Sequence, residues 1–316
     1  MTTAVKQLKK LRNYQAQGIK DLRADLARTR RGVRQTIETA IADTPALHTI
    51  KAQKGVYTAL AGKWENLAGD IDKWAYQMTG AVAKDFREMA VQSVMSQAGS
   101  GAVKSRITKF SPEYVNRIYS RIAPANGASI AGVFTDKMAT TDLNALRASV
   151  AEVYRAASLE GWTSNQIQKQ IQDRWGAIAR NMGTRKFVDV AGRNWDNSTY
   201  LRMLVRTTTA KVSRESYAET LSENGDDLVR VRAVGDNCEY CQAWDGVILS
   251  LSGMNKDYPS YDEAVNSAGH LWGPNCDCRM QRIDPRLHKA EIEKQGKEPI
   301  PDMNDPKQVT AYKEGK

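Results

Sequence analysis

The sequence of 316 residues contains no long apolar run, and it has only four cysteines and three histidines. A stretch of about 18 apolar residues would be needed to cross a membrane, and none occurs. The opening residues, MTTAVKQLKKLRNYQAQ, lack the apolar core of a secretion signal. These absences predict neither membrane insertion nor export. We therefore expect the protein to fold in a reducing cytoplasm, where disulfide frameworks are disfavoured.

The positive charge of the chain is concentrated near its start. The net charge is +10, and residues 1–35 contain ten Lys or Arg against two Asp, a local charge of +8. An apolar series from Ile19 to Ile41, with steps near three, four and seven, predicts an amphipathic helix with a cationic polar face. The basic residues of this segment are Lys6, Lys9, Lys10, Arg12, Lys20, Arg23, Arg28, Arg30, Arg31 and Arg34.

This cationic segment has two interpretations. It can contact DNA phosphates or an acidic surface of a partner protein, since phosphate attraction needs no sequence readout. It can equally be a solvated helix face, which is what most charge runs are. Tyr14 is its only aromatic residue, so stacking on nucleic-acid bases is not predicted.

Most of the chain up to residue 225 is predicted to be helical. No proline occurs between Pro45 and Pro112, and apolar residues from Val56 to Met89 recur at steps of three or four. This period predicts a helix of roughly forty residues whose apolar stripe, including two Trp and two Met, packs in a core. Farther along, Thr163 with Gln166 predicts a capping box.

The character of the sequence changes after residue 225. The segments LVRVRAV, DGVILSL and CRMQRI predict short strands, and PSYDEAV predicts a helix start. The predicted fold is mainly α with a small C-terminal α+β domain, with long N-terminal helices and short antiparallel strands around a Cys-rich knuckle. The predicted segments are a basic long-helix arm (1–110), a helical domain (111–225), the Cys-rich α+β knuckle (226–284) and a C-terminal tail (285–316). Within the tail we expect a short helix at PRLHKAEIEKQ and an extended end.

All four cysteines lie within 41 positions, as Cys238-x2-Cys241 and Cys276-x-Cys278, with His270 between the pairs. Two ligands from a tight turn and two more about thirty residues later are typical of structural zinc, whose binding energy supplements a small core. The predicted ligands are Cys238, Cys241, Cys276 and either His270 or Cys278. Metal-free thiols and disulfides stay open as alternatives, and a redox Cys-x-x-Cys lacks its usual βαβ context.

No catalytic pattern accompanies these cysteines in the sequence. A zinc deaminase needs His-x-Glu and Pro-Cys-x-x-Cys, and this chain has HLW and PNCDC instead. There is no His-Glu-x-x-His, and there is no Ser-His-Asp or Cys-His signature. We therefore expect a structural zinc site and no enzymatic activity.

The order of segments from about residue 155 to residue 285 resembles a known family. A helix with RTTTAKVSRESYAETLSENG precedes a strand, then DNCEYCQAWDGVI, YPSYDEAV, GPNCDC and RIDP. This order is similar to the minor head proteins of tailed bacteriophages, a grouping that includes the Mu F-like head morphogenesis family and the phage minor capsid protein 2 family. The positions that carry the likeness are Arg206-Thr207, Cys238, Cys241, Asp245-Gly246, Pro274, Cys276 and Cys278. Two positions depart from the family pattern, because Gly273 stands where His is frequent and Asp277 where Arg is frequent.

The resemblance implies a low-copy structural protein of the phage head, located in the virion after synthesis in the host cytoplasm. It implies association with the portal protein, the major capsid protein or both, and contact with packaged double-stranded DNA during assembly or ejection. Two rival hypotheses stay open. One is a zinc-dependent nuclease or toxin acting on nucleic acid, and the other is a DNA-binding zinc module.

Overall fold

A computed structural model describes residues 3–98, 110–124, 128–181, 186–189, 192–233, 239–266 and 271–314. These residues form ten helices and five strands, which confirms the predicted mainly α fold with a small C-terminal α+β part. The helices are α1 (Thr3–Asp43), α2 (Ile50–Ala98), α3 (Pro112–Ile122), α4 (Gly132–Glu160), α5 (Ser164–Arg180), α6 (Asn197–Glu223), α7 (Glu239–Trp244), α8 (Tyr261–Asn266), α9 (Lys289–Gln295) and α10 (Pro306–Glu314). The strands are β1 (Phe187–Val188), β2 (Asn194–Trp195), β3 (Leu228–Arg232), β4 (Ile248–Ser250) and β5 (Arg279–Arg282).

The first two helices are long because little in their sequences interrupts them. Helix α1 ends at Asp43, ahead of Thr44-Pro45, since a proline disfavours helical geometry in the residue before it. Helix α2 begins after Thr49, whose Oγ1 accepts a hydrogen bond from the amide of Ala52 at 3.3 Å. Its 49 residues exceed the forty predicted. None of the described helices has the length and apolar character needed to cross a membrane.

The chain divides into two compact units. One, which we call the cysteine unit, comprises Met1–Gln17, Tyr76–Ile122 and Met203–Lys316. The other, which we call the helical unit, comprises Gly18–Ala75 and Ala123–Arg202. Each unit is assembled from segments that are far apart in the sequence.

The helical unit is built around large buried rings. Trp64 and Trp175 are almost fully buried, and the ring of Phe134 meets that of Trp64 edge to face at 6.4 Å between centroids. The indole nitrogen of Trp64 donates to Asp142 Oδ2 at 3.1 Å, and that of Trp175 donates to Ser149 Oγ at 3.1 Å. Because each indole N–H has a partner, the rings contribute their full apolar area to the core without an unsatisfied donor.

Two local features define helix ends in this unit, and one of them is the predicted capping box. Thr163 and Gln166 form the capping box, with the Gln166 side chain accepting from the Thr163 amide at 2.7 Å. Gly161, with φ of 68°, ends α4 in the left-handed region, where a side chain would be strained.

The cysteine unit contains a three-stranded antiparallel sheet in the order β4-β3-β5. Val229 pairs with Leu249 on one side and with Arg282 on the other. The predicted strands LVRVRAV, DGVILSL and CRMQRI are therefore confirmed. Buried apolar residues from the sheet, from α6 and from the short helices α7, α8 and α10 form one core, which includes Trp244, Trp272, Cys241 and Cys278.

Ion pairs fix helix α6 in the cysteine unit. Arg87 of α2 is buried, donates to Glu223 at 2.9 Å and lies over the ring of Tyr114 at 4.4 Å. Tyr114 Oη donates to the backbone oxygen of Ser216 at 3.1 Å. Arg117 of α3 donates to Glu219 at 3.0 Å. Helices α2, α3 and α6 are thus joined by charge-assisted bonds, which are stronger than neutral ones.

The end of the chain differs from the extended conformation expected for it. Helix α10 covers Pro306–Glu314, and its Val309 and Tyr312 are buried in the core. The amide of Lys307 bonds to Asp305 Oδ1 at 2.9 Å, so Asp305 caps the helix and Pro306 occupies its first turn. The extended end was predicted wrongly, because Pro306 starts a helix whose apolar face completes the core.

Candidate metal centre and cationic face

Cys241 is positioned by a short helix and the turn that follows it. Helix α7 ends at Trp244, and Asp245 Oδ1 accepts a hydrogen bond from the amide of Ala233 at 2.8 Å. Gly246 has φ of 90° and donates to the backbone oxygen of Val231 at 2.9 Å, a conformation that favours glycine. This Asp-Gly turn leads the chain into β4, alongside β3. It holds Cys241 in the core, where that residue is 3% exposed.

The other two cysteines lie on a sharply turned segment, residues 271–278, which we call the cysteine loop. Trp272 and Asn275 have φ of 57° and 64°, and the amide of Cys276 bonds to the oxygen of Gly273 at 3.1 Å. A positive φ is unusual for a residue as bulky as Trp and costs on the order of 1–3 kcal/mol. The loop therefore needs surrounding contacts to keep its shape.

The Arg206-Thr207 pair of α6 supplies such contacts. Arg206 Nη2 lies 2.9 Å from Asp277 Oδ2 and 3.4 Å from the backbone oxygen of Asn275. Thr207 Oγ1 accepts from the amide of Asn275 at 3.2 Å. One turn of α6 thus binds both the Asp277 side chain and the Asn275 backbone of the loop. These contacts give a physical role to Arg206-Thr207, one of the positions that carry the family resemblance.

The sulfurs of Cys241, Cys276 and Cys278 converge. All three lie within 4.8 Å of one another, with 3.5 Å between Cys241 and Cys276. Tetrahedral zinc, with Zn–S bonds of about 2.3 Å, would separate its sulfurs by roughly 3.8 Å. A disulfide would need about 2.05 Å, and these three cysteines are free thiols. The three side chains can therefore hold a metal ion.

Hydrogen bonds among the thiols shift the pKa values of two of them in opposite directions. The pKa of Cys276 is lowered, chiefly because Cys241 and then Cys278 donate hydrogen bonds to its sulfur. The amide of Cys278 also lies 3.4 Å from that sulfur. The pKa of Cys241 is raised because its proton is held in the bond to Cys276. The thiolate is the form that binds metals, so the lowered pKa of Cys276 favours its metal-binding form.

Two of the five predicted ligands, Cys238 and His270, lie outside the described residues. The structure brings together Cys241, Cys276 and Cys278, and the choice of a fourth ligand stays a prediction. Gly273 stands where the family pattern frequently has His, and it offers no side-chain ligand. Its backbone oxygen accepts a hydrogen bond from the amide of Cys276.

The predicted cationic segment lies on α1, and most of its side chains are exposed. The exposed members are Lys6, Lys9, Arg12, Lys20, Arg23, Arg28, Arg31 and Arg34. Lys10 is paired with Asp85 at 2.8 Å. Arg30 is half-buried, and burial lowers its pKa while Asp196 and Asp142 oppose that effect. Lys10 and Arg30 therefore serve packing within the protein more than contact with a partner.

Six of the exposed cations repeat with a regular period. They form three pairs, each with a spacing of three residues, and the pairs recur every eleven residues: Lys9 with Arg12, Lys20 with Arg23, and Arg31 with Arg34. Eleven residues are close to three helical turns, so the two pairs in the helical unit, Lys20 with Arg23 and Arg31 with Arg34, fall on nearly the same face of α1, with a rise of roughly 16.5 Å between them. The pair Lys9 with Arg12 lies in the cysteine unit. We call these six residues the cationic row. The sequence predicted a cationic helix face. The eleven-residue period places the cations on that face only because α1 is one uninterrupted helix.

Residues 167–282 match the family model described as phage minor capsid protein 2. The match covers just over a third of the chain and includes the cysteine loop and Arg206-Thr207, so this part of the chain is similar to the phage minor capsid proteins. It confirms the resemblance predicted from the cysteine segment and supports a structural role in the phage head. Comparison with curated proteins and with solved structures finds no match.

The hold of α6 on the cysteine loop can be measured with a double-mutant cycle in metal-free protein. Arg206→Met and Asp277→Asn should each lower the free energy of unfolding by about 1–2 kcal/mol, because each leaves a half-buried charge without its partner. The loss of unfolding free energy in the double variant should be about 1 kcal/mol smaller than the sum of the two single losses, as measured by denaturant unfolding. Arg202→Met, at an exposed position one turn earlier on α6, is the control and should change stability by less than about 0.5 kcal/mol. Strict additivity of the two losses would show that the pair does not bind the loop.

Proposed function

We propose that this protein is a non-enzymatic minor component of the phage head that becomes part of the virion. It associates with the portal protein or the major capsid protein, and it contacts packaged double-stranded DNA through the cationic row of α1. The observation that carries the proposal is the family match over residues 167–282. The exposed cations of α1 give the contact with DNA its physical basis.

The cationic row suits a polyanion of regular charge. Double-stranded DNA carries one negative charge per about 1.7 Å of axis, so a helix lying along it meets phosphates at every pair of cations. Arg and Lys side chains at that spacing bind backbone phosphates and release counterions, without reading bases. Such binding suits packaged DNA, which presents many sequences to the same protein.

The same row is compatible with an acidic surface on a capsid or portal subunit. Two features favour DNA as one of its ligands. The pairs recur at a regular spacing along the helix, and their side chains are exposed, although Arg34 also bonds to Glu38 at 2.7 Å. A protein surface with acidic pairs at the same spacing would be more specialised than a phosphate backbone.

We also propose that Cys241, Cys276 and Cys278 bind zinc together with Cys238 or His270. The ion would link Cys241 of α7 to Cys276 of the cysteine loop, 35 residues later in the sequence. Its binding energy would add to a core with only short strands. A structural site is favoured over a catalytic one because Asp277, the carboxylate between Cys276 and Cys278 in the sequence, is bound by Arg206 and does not serve as a free base.

The composition of particles tests the main proposal. Quantitative mass spectrometry of purified virions and procapsids should detect the protein at a small fraction of the major capsid protein. Cross-linking should join lysines of the chain to the portal or major capsid protein. Absence from both kinds of particle would refute a structural role in the head.

The salt dependence of DNA binding tests the cationic row. Changing Lys9, Arg12, Lys20, Arg23, Arg31 and Arg34 to Gln should weaken binding to a 30-base-pair duplex. It should also make the slope of log K against log salt shallower by up to about 5, since each lost phosphate contact contributes about 0.9. Fluorescence anisotropy over a series of salt concentrations measures both.

The matched control removes six exposed charges elsewhere, by changing Lys51, Lys54, Lys73, Lys137, Lys169 and Lys297 to Gln. This control has the same net charge as the first variant and should keep most of the slope of the unmodified protein. Equal loss of slope in the two variants would reduce the effect to net charge. Absence of DNA binding by the unmodified protein at low salt would assign the row to a protein partner.

Zinc content tests the metal site. Protein purified without chelator should contain one zinc per chain, and removal of zinc should lower its thermal stability. Cys276→Ser should abolish zinc retention, whereas His288→Ala, a histidine outside the cluster, should leave it unchanged. Protein that contains no zinc and is insensitive to chelator would refute the site. DNA cleavage that depends on Cys276 would instead favour the rival zinc-dependent nuclease.

A further inference from the structure

Two buried arginines border the cysteine cluster. Arg279 follows Cys278 directly and begins β5, and Arg214 lies on α6. Their side chains belong to residues that are only 2% and 5% exposed. Arginine is almost never buried to this extent unless it is paired, because an uncompensated charge in the interior is costly.

Among the described residues, neither arginine forms an ion pair with a carboxylate. All three guanidinium nitrogens of Arg279, and Nη1 of Arg214, have no hydrogen-bond partner among the described residues. Both side chains line a small cavity together with Gln7, Phe86 and Tyr217, and no described residue of its lining is acidic. Asp277 interacts electrostatically with Arg279, but its Oδ2 is bound by Arg206 at 2.9 Å and its Oδ1 has no hydrogen-bond partner among the described residues.

The cysteines are the groups placed to supply the missing negative charge. Arg214 lies over the ring of Trp272 in the cysteine loop, 5.3 Å from its centroid. It is close enough to Cys276 to interact with it electrostatically, and Arg279 is close enough to both Cys276 and Cys278. Neutral thiols would leave the two buried positive charges compensated in part, by the charge of Asp277, which Arg206 shares. Metal-bound thiolates would compensate them.

We propose that Arg214 and Arg279 balance the charge of an anionic metal–thiolate centre. The inference rests on the proposed zinc site and adds its charge and its surroundings. A divalent ion with three thiolates and a neutral histidine has a net charge of −1, and with four thiolates it has −2. Two guanidinium groups completely neutralise the charge of −2 on the four-thiolate centre. This balance favours Cys238 over His270 as the fourth ligand. Such an all-thiolate centre selects soft metals, among them zinc and cadmium.

Cobalt titration of the metal-free full-length protein tests the proposal, because Co²⁺ bound to thiolates has a measurable sulfur-to-metal absorption. Arg279→Gln and Arg214→Gln should each weaken Co²⁺ binding by about tenfold or more, as loss of groups around a metal site typically does. Arg279→Lys, which keeps the charge, should retain most of the affinity. Arg232→Gln is the matched control, since Arg232 pairs with Arg279 across the sheet and bonds to Gln281 at 2.8 Å.

A second readout separates charge balance from a merely structural role. Without metal, Arg279→Gln should be at least as stable to heat as the unmodified protein, because a buried charge that is compensated only in part has been removed. With metal bound, it should be less stable. Equal destabilisation with and without metal, or unchanged Co²⁺ affinity in both arginine variants, would overturn the proposal.

The fourth ligand and competing anions complete the test. Cys238→Ser should reduce the sulfur-to-cobalt absorption, and His270→Ala should not; the reverse result would contradict a four-thiolate centre. The stability of the metal-free and metal-loaded proteins should also be compared in chloride and in gluconate at equal ionic strength. If chloride stabilised both forms alike, a small anion in the cavity would be the partner of the two arginines, and the proposal would fail. Absence of Co²⁺ binding by the unmodified protein would refute the metal site itself, an outcome distinct from these.

Discussion

The cysteine unit depends on a helix that is polar in sequence and buried in place. Between Thr208 and Leu221 almost every residue of α6 is buried, although the segment is rich in Thr, Ser, Arg and Glu. Its hydroxyl groups are satisfied within the helix, as when Thr209 donates to the oxygen of Val205 at 2.8 Å and Thr220 to that of Ser216 at 2.7 Å. Its charged groups must therefore find partners on the segments packed around it. This requirement connects α6 to α2 and α3 at one end and to the cysteine loop at the other.

Much of the local structure could be predicted because its causes are local. The apolar period of α2, the capping box at Thr163 and the alternation in β3 each depend on residues within a few positions of one another. Helix α10 was not predicted, because the burial of Val309 and Tyr312 depends on a core formed by distant segments. The burial of α6 was hidden for the same reason, since its composition is that of an exposed helix.

The candidate site likewise has a part that the sequence predicted and a part that it did not. Cysteine spacing predicted that the two pairs meet, and Cys241, Cys276 and Cys278 do converge. Spacing said nothing of the arginines beside them, since Arg214 is 62 positions from Cys276 in the sequence. Their importance follows only from burial and from the lack of hydrogen-bond partners for their nitrogens among the described residues. The pairing of Arg206 with Asp277 likewise joins a helix to a loop 71 residues away.

Two classes of positive charge in this chain thus have different physical roles. The cationic row is exposed, so its attraction to phosphate is screened by salt and needs no internal partner. Arg214 and Arg279 are buried, so salt screens them poorly, and they require a fixed negative charge within the protein. Under the proposals made above, changes in salt would therefore alter contact with DNA and leave the metal centre intact, while loss of metal would weaken the cysteine unit without removing any charge of the row. The net charge of +10 hides this division, because it adds charges that act outward to charges that act inward.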